Sequence, residues 1–213
     1  MTESTQKAGA SRRGRHRGTE RGDSRREELV HVASELFAEN GYRDTSIADI
    51  ATRVGVTQQA LLYYFGSKKA LLDAVIDDRD GAAVAFAEEL AAIGGVDAIR
   101  ALPASARRNI ADPNLVRLFA VLVAENLPRD AVAHDHFVAR YRRLRRIVAG
   151  LIADGQRDGV FDPGIDPALK AAEVVAVIDG LNTQWLLDPE DVDIVAVTDQ
   201  FAEGLIASLG PSS

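Results

Sequence analysis

Apolar side chains recur along this chain at spacings of three and four, and no stretch keeps the alternation of a strand. Leu29, Val32, Ala33, Leu36 and Phe37 mark one face of a first helix. Ser24 and Glu27 have the spacing of a capping box, so that helix should open at Ser24, and Asn40-Gly41 should close it in a left-handed turn. Ile47, Ile50, Ala51 and Val54 mark a second, short helix, opened by Ser46 with Asp49 three residues on. Gly55 gives a sharp turn, and Thr57 caps a third helix with Leu61 and Phe65 inward. Ser67 caps a fourth, carried by Leu71, Leu72, Val75 and Ile76 towards Leu90.

The rest reads as helix throughout. Gly94-Gly95 breaks the chain, and Pro103 shortens or kinks what lies between Asp97 and Ala111. Pro113 suits the first turn of a helix reaching about Asn126. From about Ala131 to Asp158, Phe137, Tyr141, Leu144, Ile147, Val148, Leu151 and Ile152 share a face, with Arg142, Arg143, Arg145 and Arg146 on a solvated one. Two last helices, about Pro167–Leu187 and Glu190–Leu209, are parted by Asp188-Pro189. The fold class is therefore all-α, with about nine helices. Three short helices form an N-terminal helix-turn-helix domain over 24–70, and a larger C-terminal helical domain takes 71–213.

Composition narrows the function. The chain has 213 residues, enough for one large or two small domains, and no cysteine. Disulfides, thiolate metal sites and thiol catalysis are thereby excluded, which suits a reducing interior. No leader-like or membrane-length apolar run occurs, so a cytoplasmic protein without membrane partners is expected. Net charge is −7, but it is unevenly spread. Residues 1–70 hold 12 Lys and Arg against 9 Asp and Glu, leaving 13 against 23 for the remainder. Phosphate binding needs local rather than global positive charge. Residues 1–23, with Arg12, Arg13, Arg15, Arg17 and Arg21 among small polar residues, should be a disordered basic arm. It either adds nonspecific DNA affinity or is only a solvated tail.

Two short helices cannot bury a core between them, so the pair at 46–65 leans on a third and exposes its other face. That face carries Gln58, Gln59, Tyr63 and Tyr64 with almost no charge, the chemistry of a helix that enters a major groove. Leu36-Phe37, Gly41-Tyr42, Thr45-Ser46-Ile47, Ile50-Ala51, Gly55-Val56-Thr57, Leu61, Tyr63, Phe65, Ser67-Lys68 and Leu71 together resemble the TetR family of transcriptional regulators, over Ser24 to about Leu72. The remaining two-thirds is similar only in length and helical character. Leu62 and Tyr64 depart from the family's commonest residues there, Tyr and His, so their groove roles differ.

Base reading falls to the start of the third helix. Glutamine pairs bidentately with adenine, and Gln58, at a frequent reading position of the family, is the favoured reader beside Gln59. Ala60 or Leu62 would touch a thymine methyl. Tyr63 and Tyr64 offer hydroxyls to phosphate or base, and Thr57 and Lys68 offer phosphate contacts. Thr45, Ser46 and Ile47 complete the expected DNA-binding set where the second helix opens. Leu61 and Phe65 belong to the core.

One helix-turn-helix reads only a few base pairs, so a homodimer on a palindromic double-stranded operator is expected. Ile178, Leu181, Trp185, Phe201 and Leu205 on the last two helices are its expected interface, with Gly180 permitting close approach. The resemblance implies a repressor released by a small-molecule effector, bound between the fourth and next-to-last helices. Phe119, Asn126, Tyr141, Asn182 and Trp185 are the candidate contacts, with His134, His136, Thr183 and Gln184 as further polar residues. Few cations suit that pocket, which favours an apolar or amphipathic ligand. No metal and no cofactor is expected. The two histidines are two apart and splay about 200° on a helix. An enzyme needs a constellation that is absent here. The competing reading is a helical ligand-binding or protein-interaction module whose helix-turn-helix is only scaffold.

Overall fold

The computed structural model describes residues 6–210, with side chains from Ser24 onward except that of Ala82. The basic arm expected over residues 1–23 lies outside the residues with described side chains. Among the described residues there are ten helices and no strand: α1 (Gln6–Asp44), α2 (Ile47–Val54), α3 (Gln58–Phe65), α4 (Lys68–Ile93), α5 (Gly95–Arg100), α6 (Pro103–Ala111), α7 (Pro113–Glu125), α8 (His134–Arg157), α9 (Pro167–Leu187) and α10 (Ile194–Leu209). The chain packs as two units that divide between Asp78 and Arg79, inside α4.

In the first unit the local signals act as their chemistry demands. Ser24 lies inside α1, not at its start, but the helix breaks at Gly41, whose φ of 82° only glycine adopts freely. The α2 box closes reciprocally: Asp49 N donates to Ser46 Oγ at 3.1 Å and Ser46 N to Asp49 Oδ2 at 2.7 Å. Gly55 (φ 73°, ψ 37°) ends α2 in the left-handed region, its amide donating back to Ala51 and Thr52. Thr57 Oγ1 then accepts from Ala60 N at 3.1 Å, and Ser67 Oγ from Ala70 N at 3.1 Å. Leu29, Ala33, Phe37, Ile50, Leu61, Leu71 and Leu72 are wholly buried. Each of the larger ones contributes about 1.5–3 kcal/mol by leaving water.

The second unit departs from expectation at three boundaries. Of the two effects expected of Pro103 the structure has the shortening and not the kink: α5 ends at Arg100, and Pro103 opens a separate helix, α6, in the first turn where its missing amide costs nothing. α8 starts at His134 and not near Ala131, because Pro128 and Ala131 accept turn bonds from Ala131 N and His134 N. α10 starts at Ile194 and not at Glu190. Asp188 and Asp193 each cap a turn there, and Asp193 takes the amides of Val195 and Ala196. Among the described residues, two clusters form part of this unit's core. One gathers Ile99, Ile152, Phe161, Val174, Ala202, Leu205 and Leu209, and the other Ala106, Trp185 and Ile194.

Candidate nucleic-acid interface and ligand cavity

α3 owes its open face to its own spacing. Leu61 and Phe65, four apart, turn inward and are buried, which leaves Gln58, Gln59, Leu62, Tyr63 and Tyr64 exposed. Tyr63 is 87% exposed and stands edge-on to Tyr64, with centroids 5.8 Å apart. An eight-residue helix that offers two amides, two phenols and a leucine to solvent without a charge is built to meet a surface. Ala60 is half-buried beneath it. Thr57 and Ser46 are exposed at the mouths of α3 and α2, and Ile47 is half-buried in the first turn of α2.

Two expected DNA contacts have other duties in the fold. Thr45 is buried, and its hydroxyl donates to Gly41 O at 2.7 Å and Leu36 O at 3.2 Å. It ties the broken end of α1 to the start of α2 and faces no solvent. Lys68 Nζ sits 4.2 Å from the Tyr42 ring centroid and donates to Arg43 O at 3.3 Å. That leash holds a cation at the N-terminus of α4 on a half-buried side chain. Sequence reading missed Arg26, which is exposed and lies 5.1 Å over the Phe65 ring, beside the end of α3.

The second unit encloses a cavity of about 660 Å³ among α4 to α10. Phe86, Leu90, Phe119, Leu144, Val148 and Ile178 are typical of its largely apolar wall. Among the five expected ligand contacts, Phe119, Tyr141 and Asn182 line it. Asn126 and Trp185 do not. Asn126 is a buried staple: its Nδ2 donates to Leu122 O, its Oδ1 accepts from Ala133 N, and its O meets His134 Nδ1. Trp185 packs with Ala106 and Ile194. Thr183 lines the cavity, whereas His134, His136 and Gln184 do not.

The polar end of the cavity holds residues the sequence reading passed over. Arg140 pairs with Asp80, its guanidinium carbon 4.1 Å from the Phe119 ring centroid. Burial lowers its pKa, while Tyr141 and Asp179 act the other way. Burial raises the Tyr141 phenol far above its ordinary value, and the neighbouring Asp179 adds to the shift, so Tyr141 stays a donor. Partial removal from water raises the Asp179 carboxyl, against the lowering effects of Tyr141 and of the charge of Arg140. Asp179 nevertheless remains accessible. Asn109 Nδ2 donates to Asn182 Oδ1 at 2.7 Å alongside. The signal was present: residues 137, 140, 141 and 144 share a helix face, as do 175, 178, 179 and 182. A charge on such a stripe points inward. The expectation of few pocket cations is corrected too, since Arg108 and Arg140 both line the cavity.

Of the residues expected at a dimer interface, Trp185 and Leu205 are buried within the protomer, while Ile178, Leu181 and Phe201 are half-buried. Ile178 is cavity wall, Leu181 packs on the Trp185 cluster, and Phe201 packs on the cluster that contains Leu205. Exposed positions lie elsewhere on the same helices. α9 leaves open Leu169, Ala172, Glu173, Ala176, Asp179, Thr183, Gln184 and Leu187, and α10 leaves open Ala196, Val197, Asp199, Gln200, Glu203, Gly204 and Ala207. Among the described residues no helix is long and apolar enough to cross a membrane, and no group of three or more His, Asp or Glu could hold a metal.

Two family descriptions match the chain: "Bacterial regulatory proteins, tetR family" over residues 29–75, and "BetI-type transcriptional repressor, C-terminal" over residues 99–209. The HTH-type transcriptional regulator UidR of Escherichia coli (strain K12) is 27% identical over 187 residues, covering 87% of this chain and 91% of UidR. Among solved structures, FadR from Bacillus subtilis in complex with stearoyl-CoA superposes with a TM-score of 0.73 at 20% identity, covering 86% of this chain and 98% of FadR. SmeT, repressor of the Stenotrophomonas maltophilia efflux pump SmeDEF, superposes in its triclosan complex with a TM-score of 0.72 at 18% identity, covering 84% and 90%.

Proposed function

The chain belongs to the tetR family of bacterial regulatory proteins, and from that premise we propose that it is a ligand-responsive transcriptional repressor. It binds a palindromic operator as a homodimer in the cytoplasm and is released when a small molecule fills the cavity. The observation that carries this reading is the pairing, in one chain, of the uncharged exposed face of α3 with an apolar cavity of about 660 Å³. A regulator needs both a reader and a receptor. The volume is that of a site for a drug-sized molecule.

Base reading rests on Gln58 and Gln59, with Ala60, Leu62, Tyr63 and Tyr64 in groove or phosphate contact. Thr57, Ser46, Ile47 and the tethered Lys68 fix the frame on the backbone. Thr45 supports that frame from within. The dimer forms through the exposed stripes of α9 and α10, which replace the interface residues expected from sequence. A Cβ on Gly180 or Gly204 would meet nothing within 4 Å, so a partner helix has room at both. Ligand binding would favour a dimer geometry that no longer spans two half-sites.

Selection of bound sequences from random DNA tests the reading directly. The expected outcome is an inverted repeat with adenine in each half-site. Recovery of random or single-copy sequences would overturn the operator and dimer parts, and no enrichment at all would favour the scaffold-only module.

A further inference from the structure

The charged groups of the cavity are unequally engaged. Both arginines that line it already hold a carboxylate from outside the lining. Arg108 pairs with Glu89 at 2.9 Å and stacks 4.3 Å from the Phe86 ring centroid. Arg140 pairs with Asp80, whose other oxygen lies 3.6 Å from His136 Nε2. The lining carboxylate, Asp179, is placed differently. It shares the lining with Tyr141 and Arg140 and stays accessible on a wall that is otherwise mostly apolar. A carboxylate offers about four acceptor positions, more than the neighbouring Tyr141 hydroxyl can fill.

We infer that the cavity takes an apolar molecule bearing a hydrogen-bond donor, a hydroxyl or an ammonium, which Asp179 accepts, and that it discriminates against molecules ending in a carboxylate. The inference rests on the reading of the cavity as the effector site. A ligand carboxylate at this end would meet the acid of Asp179, while Arg140 is already paired with Asp80. Acids crowded together in an apolar site cannot all remain ionised. A donor instead completes Asp179 and leaves both arginine pairs intact. Asn182, three residues on along the same face of α9 and bonded to Asn109, holds a second polar position beside the incoming group.

Three ten-carbon probes separate the possibilities: decan-1-ol, decylamine and decanoate. Each is titrated against the full chain preloaded with Nile red, a neutral apolar dye. The alcohol or the amine, or both, should displace the dye at concentrations about tenfold or more below decanoate, the weight of one hydrogen bond to a charged group. Which of the two binds tighter tells hydroxyl from ammonium. In Asp179→Asn the gap to decanoate should shrink to about threefold or less. Equal or tighter displacement by decanoate in the native chain overturns the inference while leaving the cavity reading intact, and so does an unchanged gap in folded Asp179→Asn. The native comparison decides even where the variant does not fold. Failure of Nile red to bind at all would overturn the effector-cavity reading itself.

Discussion

Gln58 and Gln59 stand in the first turn of α3 with both amides in solvent, while Lys68 is leashed to Tyr42 and Arg43 at the head of α4. These are different chemistries and should fail differently. Gln58→Ala is expected to lose about 1–3 kcal/mol of discrimination at one base per half-site and to leave other positions unchanged. Lys68→Ala should weaken all sequences alike and lower the salt slope by about one unit. Titrations across operator variants at several salt concentrations separate the two, and equal effects on every sequence would reverse the assignment. Asp49 makes a pH statement at the same scale. The hydroxyl and amide of Ser46 hold its carboxyl below the ordinary value of 3.8, so its stabilising effect is full above that value and lost as pH falls through the lowered one. The unfolding midpoints of the native chain and Asp49→Asn should therefore converge as pH drops below 3.8. A gap that widens on acidification would contradict the cap.

At the scale of elements, caps and breaks decide where helices stop, and close packing decides what may follow. Gly155 near the end of α8 shows the second effect. A Cβ there would stand 2.2 Å from Phe161 Cδ2, a buried ring of the core. Gly155→Ala should thus cost about 1–3 kcal/mol through displacement of the ring, more than helix propensity alone would return. Denaturant unfolding measures it, and a stabilised variant would show that the ring has room to move. Thr45 illustrates the same dependence on packing. Its place at the mouth of α2 put it in the expected DNA-binding set, but two carbonyls of the α1 break take its hydroxyl. A group that satisfies buried carbonyls is not free for a ligand.

For the whole molecule, the proposed homodimer makes a claim about the faces left open on α9 and α10. The stripes left open on α9 and α10 include several small residues, and both Gly180 and Gly204 face open space. Gly180→Arg should therefore leave the protomer folded but drive it to a monomer, with operator affinity falling to that of a single half-site. Light scattering after size exclusion checks the mass, and circular dichroism the fold. A dimer that survives both Gly180→Arg and Gly204→Arg would move the interface elsewhere.

Much of the fold was legible because its signals are local. Ser46 with Asp49, Gly55, Thr57 and Ser67 act within one turn of where they stand, so the sequence by itself determined α2, α3, their turn and the exposed face of α3. It also separated inward from outward stripes on the later helices, since a 3.6-residue period needs no partner to be read. What stands opposite an inward stripe is a different matter. Leu205 walls a cavity and a core cluster at once, Trp185 fills a core rather than a cavity, and Arg140 and Asp179 turn inward beside Tyr141. Those outcomes depend on residues more than thirty positions away along the chain, brought close only by packing. Only the tertiary structure therefore decided that the large unit keeps an open, mostly apolar chamber with a carboxylate at its polar end.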